Sequence, residues 1–375
     1  MNVGVGHTSA AEAVKDALHE RDPQATSQIV NCYKYAASIV SRVVSDGYIG
    51  MVKTIPQMYR FLYSRAEKAT EIGPFRSWVH QFTATNLRGL LERTRPDVVV
   101  CTHAFPCGVM SEYKKQFSDA PPVIGIVTDF VVHSFWIHSN IDAYAVATPE
   151  MRVAMAARGV PKERVIVAGI PVAAEFCKQV EHRDALRERL GLPPDRCAVL
   201  MMGGGLGIGP LEMMMRALDH IEQPLAAIAI VGRNKRMQRR VMEAAQHAGY
   251  PLRVLGFVDN VYDYMHAADV LLSKPGGLTS AEALVAGIPM ILVKPLPGQE
   301  ERNTRYLVDR DAALRPKNER DLTRMVAQVL ASSEVREQMR HAAARLAKPS
   351  AADDIAALIE RLAAQEQERI YHAIV

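Results

Sequence analysis

The chain has 375 residues, 49% hydrophobic and 23% charged, with a net charge of +4; the length exceeds one ordinary domain and the composition is that of a folded globular protein. Disordered, collagen-like and disulfide-scaffold chains are excluded, and no run approaches the ~18 apolar residues of a membrane span. Five cysteines with no Cys-x-x-Cys read as reduced thiols, not as a disulfide framework or a zinc site, and with no N-terminal signal core a cytoplasmic chain is expected.

Gly4-Val5-Gly6-His7-Thr8-Ser9 has the form of a glycine turn leading into a helix, but only three residues precede it, where a strand needs about five or six. The first strand of an α/β domain is therefore expected to be missing, through a late start or a real absence. From Lys34 to Arg95 ten cations stand against four acids, interleaved with Tyr35, Tyr48, Tyr59, Phe61, Tyr63, Phe75, Trp78 and Phe82. The net charge of the whole chain is too small to argue for nucleic acid.

Short β-branched runs then alternate with helical patterns. Strands are expected at 98–102, 123–128, 144–148 and 165–168, then at 199–202, 226–231, 253–255, 270–273 and 290–293. Strand then helix, repeated, means parallel sheets. The first run closes at Ala168-Gly169-Ile170-Pro171-Val172 and a helix opens the second after Glu181-His182-Arg183. The expected organisation is an N-terminal domain over 1–172, a linker over 173–183, a C-terminal domain over 184–349 and a terminal helix over 350–375. Two doubly wound parallel-sheet domains of four and five strands would face a cleft, with ligands at the carboxyl ends of their strands.

The candidate site residues sit at those ends. After strand 270–273 come Lys274-Pro275-Gly276-Gly277-Leu278-Thr279-Ser280-Ala281-Glu282, a strand, paired glycines and a helix start. Glycines admit a ligand close to the backbone, and the helix amides favour phosphate; Glu282 is placed to accept from ribose hydroxyls. Gly203, Gly204 and Gly205 follow the first strand of the same half, with no Gly-Lys-Ser/Thr of a P-loop. Two glycine loops in one domain point to a sugar nucleotide diphosphate. Gly232, Arg233 and Asn234 add a cation and an amide, and Gln299 and Glu300 suit sugar hydroxyls. In the first half, His7, Asp129 and His133 at loops and strand ends are candidates for a general base, in that order.

With Gly-Val-Gly-His-Thr-Ser-Ala-Ala from Gly4, Tyr59-Arg60-Phe61-Leu62-Tyr63, Pro96-Asp97, Thr128-Asp129-Phe130 with His133 and Trp136, Gly169-Ile170-Pro171, Gly232-Arg233-Asn234, and the stretches 274–282 and 297–303, the chain resembles the monogalactosyldiacylglycerol synthase-like and processive diacylglycerol glucosyltransferase group of family 28 glycosyltransferases. The resemblance implies a GT-B fold and an inverting transfer of glucose or galactose from a UDP-sugar to 1,2-diacylglycerol, with no metal ion and no cofactor. By the same resemblance Phe257 and Val258 lie beside uracil, Glu282 binds ribose, Gly277, Leu278, Thr279 and the triple glycine embrace the diphosphate, and Gly276 belongs to the same donor site. Gln299 and Glu300 then hold the sugar, His7 activates the acceptor hydroxyl, and Asp129 is the second candidate for that task. His133, Trp136, Tyr59, Arg60 and Phe61 are expected on the acceptor and membrane side, on an enzyme peripheral to the inner face of the cell membrane and drawn there by anionic lipid. The other readings are a UDP-N-acetylglucosamine-dependent transferase using a polyprenyl-linked acceptor, a UDP-sugar epimerase, and a non-catalytic UDP-sugar or lipid-binding protein.

Overall fold

The computed structural model describes residues 5–36, 74–178, 182–205, 207 and 209–374. Helix α1 (Val5–Arg21) opens them, followed by α2 (Pro74–Thr94), β1 (Val99–Cys101), α3 (Ala104–Gln116), β2 (Val123–Ile126), β3 (Ala143–Ala145), α4 (Pro149–Ala156) and β4 (Val165–Ile166). The strands pair in parallel in the order β1-β2-β3-β4. Alternation along β2 divides its side chains between two layers. Ile124 and Ile126 join Val14 of α1 on one face, while Val123 and Val127 face the cluster containing Leu87 and Val109 of α2 and α3. Met1–Gly4, where a shortened first strand was expected, lie outside the described residues.

The second half comprises α5 (Arg183–Arg189), β5 (Cys197–Met202), α6 (Leu211–Asp219), β6 (Leu225–Ile230), α7 (Lys235–Ala245), β7 (Leu252–Leu255), α8 (Val261–Ala267), β8 (Val270–Ser273), α9 (Gly277–Ala286), β9 (Met290–Leu292), α10 (Gln299–Val308), β10 (Ala313–Leu314), α11 (Glu319–Ala331) and α12 (Ser333–Leu346). Its sheet is parallel in the order β10-β9-β8-β5-β6-β7. Six strands stand where five were expected, because β10 spans only two residues, Ala313 and Leu314, too few for a period-2 pattern to register. The order reverses between β5 and β8, and open α/β sheets bind ligands at such a switch point. Both glycine loops, after β5 and after β8, start there.

Helix α13 (Ala351–Ile374) follows the second sheet but packs on the first. Ile355, Leu358 and Ile359 lie against Val14, Ile124, Ile126 and Ala145, each such buried side chain contributing about 1.5–3 kcal/mol. Arg21 at the end of α1 bonds Glu360 and Asp353 of α13. Thus α1, which carries His7, is clamped between the first sheet and the terminal helix.

Candidate active site

The cleft is built where α1 and α9 meet by their N-terminal ends. A Cβ added to Gly6 would lie 3.4 Å from Leu278 Cβ. A Cβ on Gly277 would lie 2.0 Å from the carbonyl oxygen of Thr128, so this helix start packs directly on the backbone after β2, an approach open only to glycine.

His7 occupies the first turn of α1. Its Nδ1 is 2.8 Å from Thr102 O and 3.0 Å from Thr128 Oγ1, while Thr102 Oγ1 donates back to His7 O at 2.9 Å. A carbonyl oxygen only accepts, so Nδ1 carries the proton and Nε2 keeps its lone pair. Burial pushes the imidazole below its ordinary value, against the opposing pull of the Thr102 bond, which keeps the ring neutral and basic at neutral pH. The ring of His103 stands edge-on to it, 4.5 Å between centroids at 87°.

Asp129 follows Thr128 and is bonded across the cleft. Gln299 Nε2 donates to its Oδ2 and Asn303 Nδ2 to its Oδ1, both at 2.8 Å. Asn303 is fully buried; its Oδ1 accepts from Phe130 N at 3.0 Å and its Nδ2 also reaches Pro275 O at 3.3 Å. Burial raises the Asp129 carboxyl to about 7, with Asn303 opposing and the Glu300 charge adding to the rise. Gln299, expected on the sugar, therefore bonds the first domain. Glu300 is likewise engaged, accepting from Lys274 Nζ at 2.7 Å and from Leu296 N at 2.9 Å. Lys274 lies over the first glycine loop, its Cε 2.9 Å from where a Gly204 Cβ would stand.

The glycine loop after β5 is fixed from β6. Gly204 and Gly232 have φ of +73° and +79°, a region L side chains avoid, and a Cβ on Gly232 would strike Gly204 O and Gly205 O at 2.9 and 2.8 Å. Asn234 caps α7 by accepting from Met237 N and bonds Gly207 O through Nδ2. Its amide thus ties the glycine loop to the start of α7. Arg233 sits over the ring of Phe257 at 4.2 Å, and Phe257 is 44% exposed; Val258 is half-buried against the core. Glu282, one turn into α9, is half-buried and has no hydrogen bond or ion pair among the described residues; burial raises it to about 7.

Two expectations for the acceptor side are corrected. Trp136 and His133 are 2% and 5% exposed and lie near one another in the first-domain interior; Tyr144 donates to Trp136 O at 2.8 Å and locks that turn in place. Neither ring reaches a surface. Tyr59, Arg60 and Phe61 lie outside the described residues. On α2, Trp78 and Phe82 stack at 5.8 Å and are 53% and 41% exposed.

Residues 7–172 match the family of monogalactosyldiacylglycerol (MGDG) synthase, and residues 199–358 match the glycosyltransferase family 28 C-terminal domain. The chain belongs to the monogalactosyldiacylglycerol synthase-like group of family 28 glycosyltransferases. It is 27% identical over 355 residues to a processive diacylglycerol beta-glucosyltransferase of Bacillus mycoides, covering 94% of this chain and 89% of that one. A relative of the same name from Bacillus licheniformis is 28% identical over 343 residues, 90% of this chain and 87% of its own. The structure of MurG from Acinetobacter baumannii superposes with a TM-score of 0.57 at 18% identity, over 76% of this chain and 79% of that chain, which shows a shared GT-B fold. In this family 28 glycosyltransferase, sequence reasoning missed Lys274, Asn303, Thr102 and His103 as site residues. Lys274 and Asn303 stood at the edges of motifs already singled out. Thr102 ends a predicted strand and His103 follows it, and only their contacts with His7 mark them.

Proposed function

We propose that the protein transfers glucose or galactose from a UDP-sugar to the hydroxyl of 1,2-diacylglycerol, forming a β-glycosyl diacylglycerol with inversion. The observation that carries the reading is His7, a neutral imidazole with its Nε2 lone pair available, on a helix start that meets the N-terminus of α9. The acceptor oxygen gives its proton to His7 Nε2 as it forms the new bond to the anomeric carbon. The bond from that carbon to UDP breaks on the opposite face, and the electron pair leaves with the UDP oxygen.

Charge building on the departing diphosphate meets the amides of 277–279, fixed at the helix start before the reaction begins, and the ammonium of Lys274 once Glu300 releases it. The chemistry therefore needs neither a metal ion nor a cofactor. Glu282, lacking a partner among the described residues, receives the ribose, and Phe257 beneath Arg233 offers its ring edge and half-exposed surface to the uracil. Binding of a hexose takes Gln299 and Glu300 out of their bonds to Asp129 and Lys274, which leaves Lys274 for the phosphates. The exposed Trp78–Phe82 pair continues the cationic, aromatic segment expected to dock on anionic lipid at the inner face of the cell membrane; among the described residues no helix is long and apolar enough to cross a membrane.

The test is UDP release from UDP-glucose, UDP-galactose and UDP-N-acetylglucosamine, with and without diacylglycerol in anionic mixed micelles, with lipid products resolved by mass. Diacylglycerol-dependent release with a hexosyl lipid product, lost in His7→Ala while UDP still binds, is the expected result. Release that ignores diacylglycerol, or full activity in His7→Ala, overturns the reading.

A further inference from the structure

His103 has two contacts that together define what it can do. As the residue preceding α3, its Nδ1 accepts from Phe105 N at 3.1 Å and caps the helix. An imidazole nitrogen that accepts carries no proton, so the single proton of His103 is on Nε2, and ionisation costs the cap bond. Its ring meets His7 edge-on at 4.5 Å. Behind it stands Tyr33, 5.9 Å away, itself stacked on Phe105 at 4.7 Å. His103 is thus a ring fixed in position and in tautomer, packed edge-on against one flank of His7.

We propose that His103 is a positioning residue for transfer: it acts through His7, holding that ring in the orientation that presents Nε2 and keeping the base unhydrated on one side. The inference rests on the reading of His7 as the base. Among the described residues the titratable groups around the pair are His103, which faces His7 from the loop after β1, Tyr33 with the neighbouring Cys32 beyond His103, His133, whose imidazole acts on His103, and Asp129, next to Thr128 in the loop after β2; α9 brings Leu278 to the neighbouring Gly6. Burial and the nearby imidazoles of His7 and His133 hold His103 itself well below its ordinary value, so both rings of the pair are neutral at working pH.

The two roles of His103 separate by substitution. His103→Asn retains an acceptor for the Phe105 amide, since asparagine is a good cap, but removes the ring. His103→Phe retains a ring and removes the cap. In His103→Asn the expected result is a fall in kcat of about tenfold to a hundredfold, the scale of a displaced catalytic group, with KM for the UDP-sugar unchanged and the acid limb of the pH–rate profile moved to higher pH. Imidazole nitrogen NMR of the full chain reads the same coupling without turnover: the His7 titration moves up toward the ordinary value of 6.5 when the ring beside it is gone, and in the wild type His7 is the Nδ1–H tautomer.

An unshifted His7 titration and a wild-type pH profile in His103→Asn, with activity lost only in His103→Phe, make His103 a helix cap alone and overturn the proposal. Because the titration is measured on His7 directly, its outcome stands apart from the His7→Ala assay. Activity retained in His7→Ala sinks the base assignment, whereas an unmoved His7 titration sinks the role of His103.

Discussion

Asn303 joins the two domains through a single side chain. Its oxygen accepts from Phe130 N of the first, and its nitrogen donates both to Asp129 Oδ1 of the first and to Pro275 O of the second. Every polar atom of the amide is used, and the residue is fully buried. Asn303→Ala leaves the Phe130 amide without its acceptor and Asp129 with one donor fewer. Each such loss costs about 1–3 kcal/mol, so a clear drop in the urea midpoint is expected, together with weaker association of the domains in small-angle scattering. An unchanged midpoint would contradict the contact's role in closure.

Asp129 gives that interface a pH dependence whose sign is fixed by its shift. Its carboxyl rises from 3.8 to about 7 on folding, chiefly through burial. The folded state therefore prefers the protonated form, a contribution fully present below about pH 4 and lost as pH climbs through 7. Glu282, raised from 4.5 to about 7 by burial, acts in the same direction. Urea unfolding at pH 5 and pH 8 should show the wild type losing stability over this interval, and Asp129→Asn losing less. An equal loss in Asp129→Asn would place the pH dependence elsewhere.

Much of this arrangement was legible in the sequence because it is written in local patterns. The strand ends carrying Thr128, Gly203 and Lys274 follow β-branched runs, and glycine pairs before helices mark anion sites. What was not legible depends on contacts between residues far apart in the chain. Gln299 and Asp129 were read as separate sugar and base candidates, yet they bond each other over 170 residues of sequence. Trp136 carries a ring expected at a membrane, but the carbonyl that accepts from Tyr144 and the packing around it bury it. Asn234 reads as a ligand beside an arginine, and its further work as a helix cap shows only in the Met237 and Gly207 bonds.

Gly277→Ala separates folding of the two sheets from their closure. The new methyl meets the Thr128 carbonyl at 2.0 Å, a backbone atom that moves only if the domains part. Gly277 sits near the start of α9, where alanine suits the helix itself. Expected, therefore, are native circular dichroism, a larger radius of gyration and a loss of transfer of a hundredfold or more, on the order of that caused by a 1 Å displacement of reacting groups. Wild-type turnover in this variant would show that the packing of α9 on Thr128 is dispensable.

Lys274 tests where the leaving-group charge is met. Its ammonium pairs with Glu300 at 2.7 Å above Gly204, with side-chain exposures of 27% and 15%, so water screens the pair only in part. If the ammonium turns to the diphosphate when a hexose engages Glu300, its contribution grows as the bond to UDP breaks. Lys274→Ala should then lower kcat by about a hundredfold to a thousandfold, the range for a lost oxyanion donor, with a smaller change in KM. Glu300→Gln leaves the lysine free of its partner and should weaken hexose binding, read as a raised KM, without that fall in kcat. If the chain supplies the positive charge, chelation by EDTA should leave the wild-type rate unchanged. A rate that collapses in EDTA and returns with a divalent cation, or a Lys274→Ala enzyme with normal kcat, would reassign the stabilisation of departing UDP.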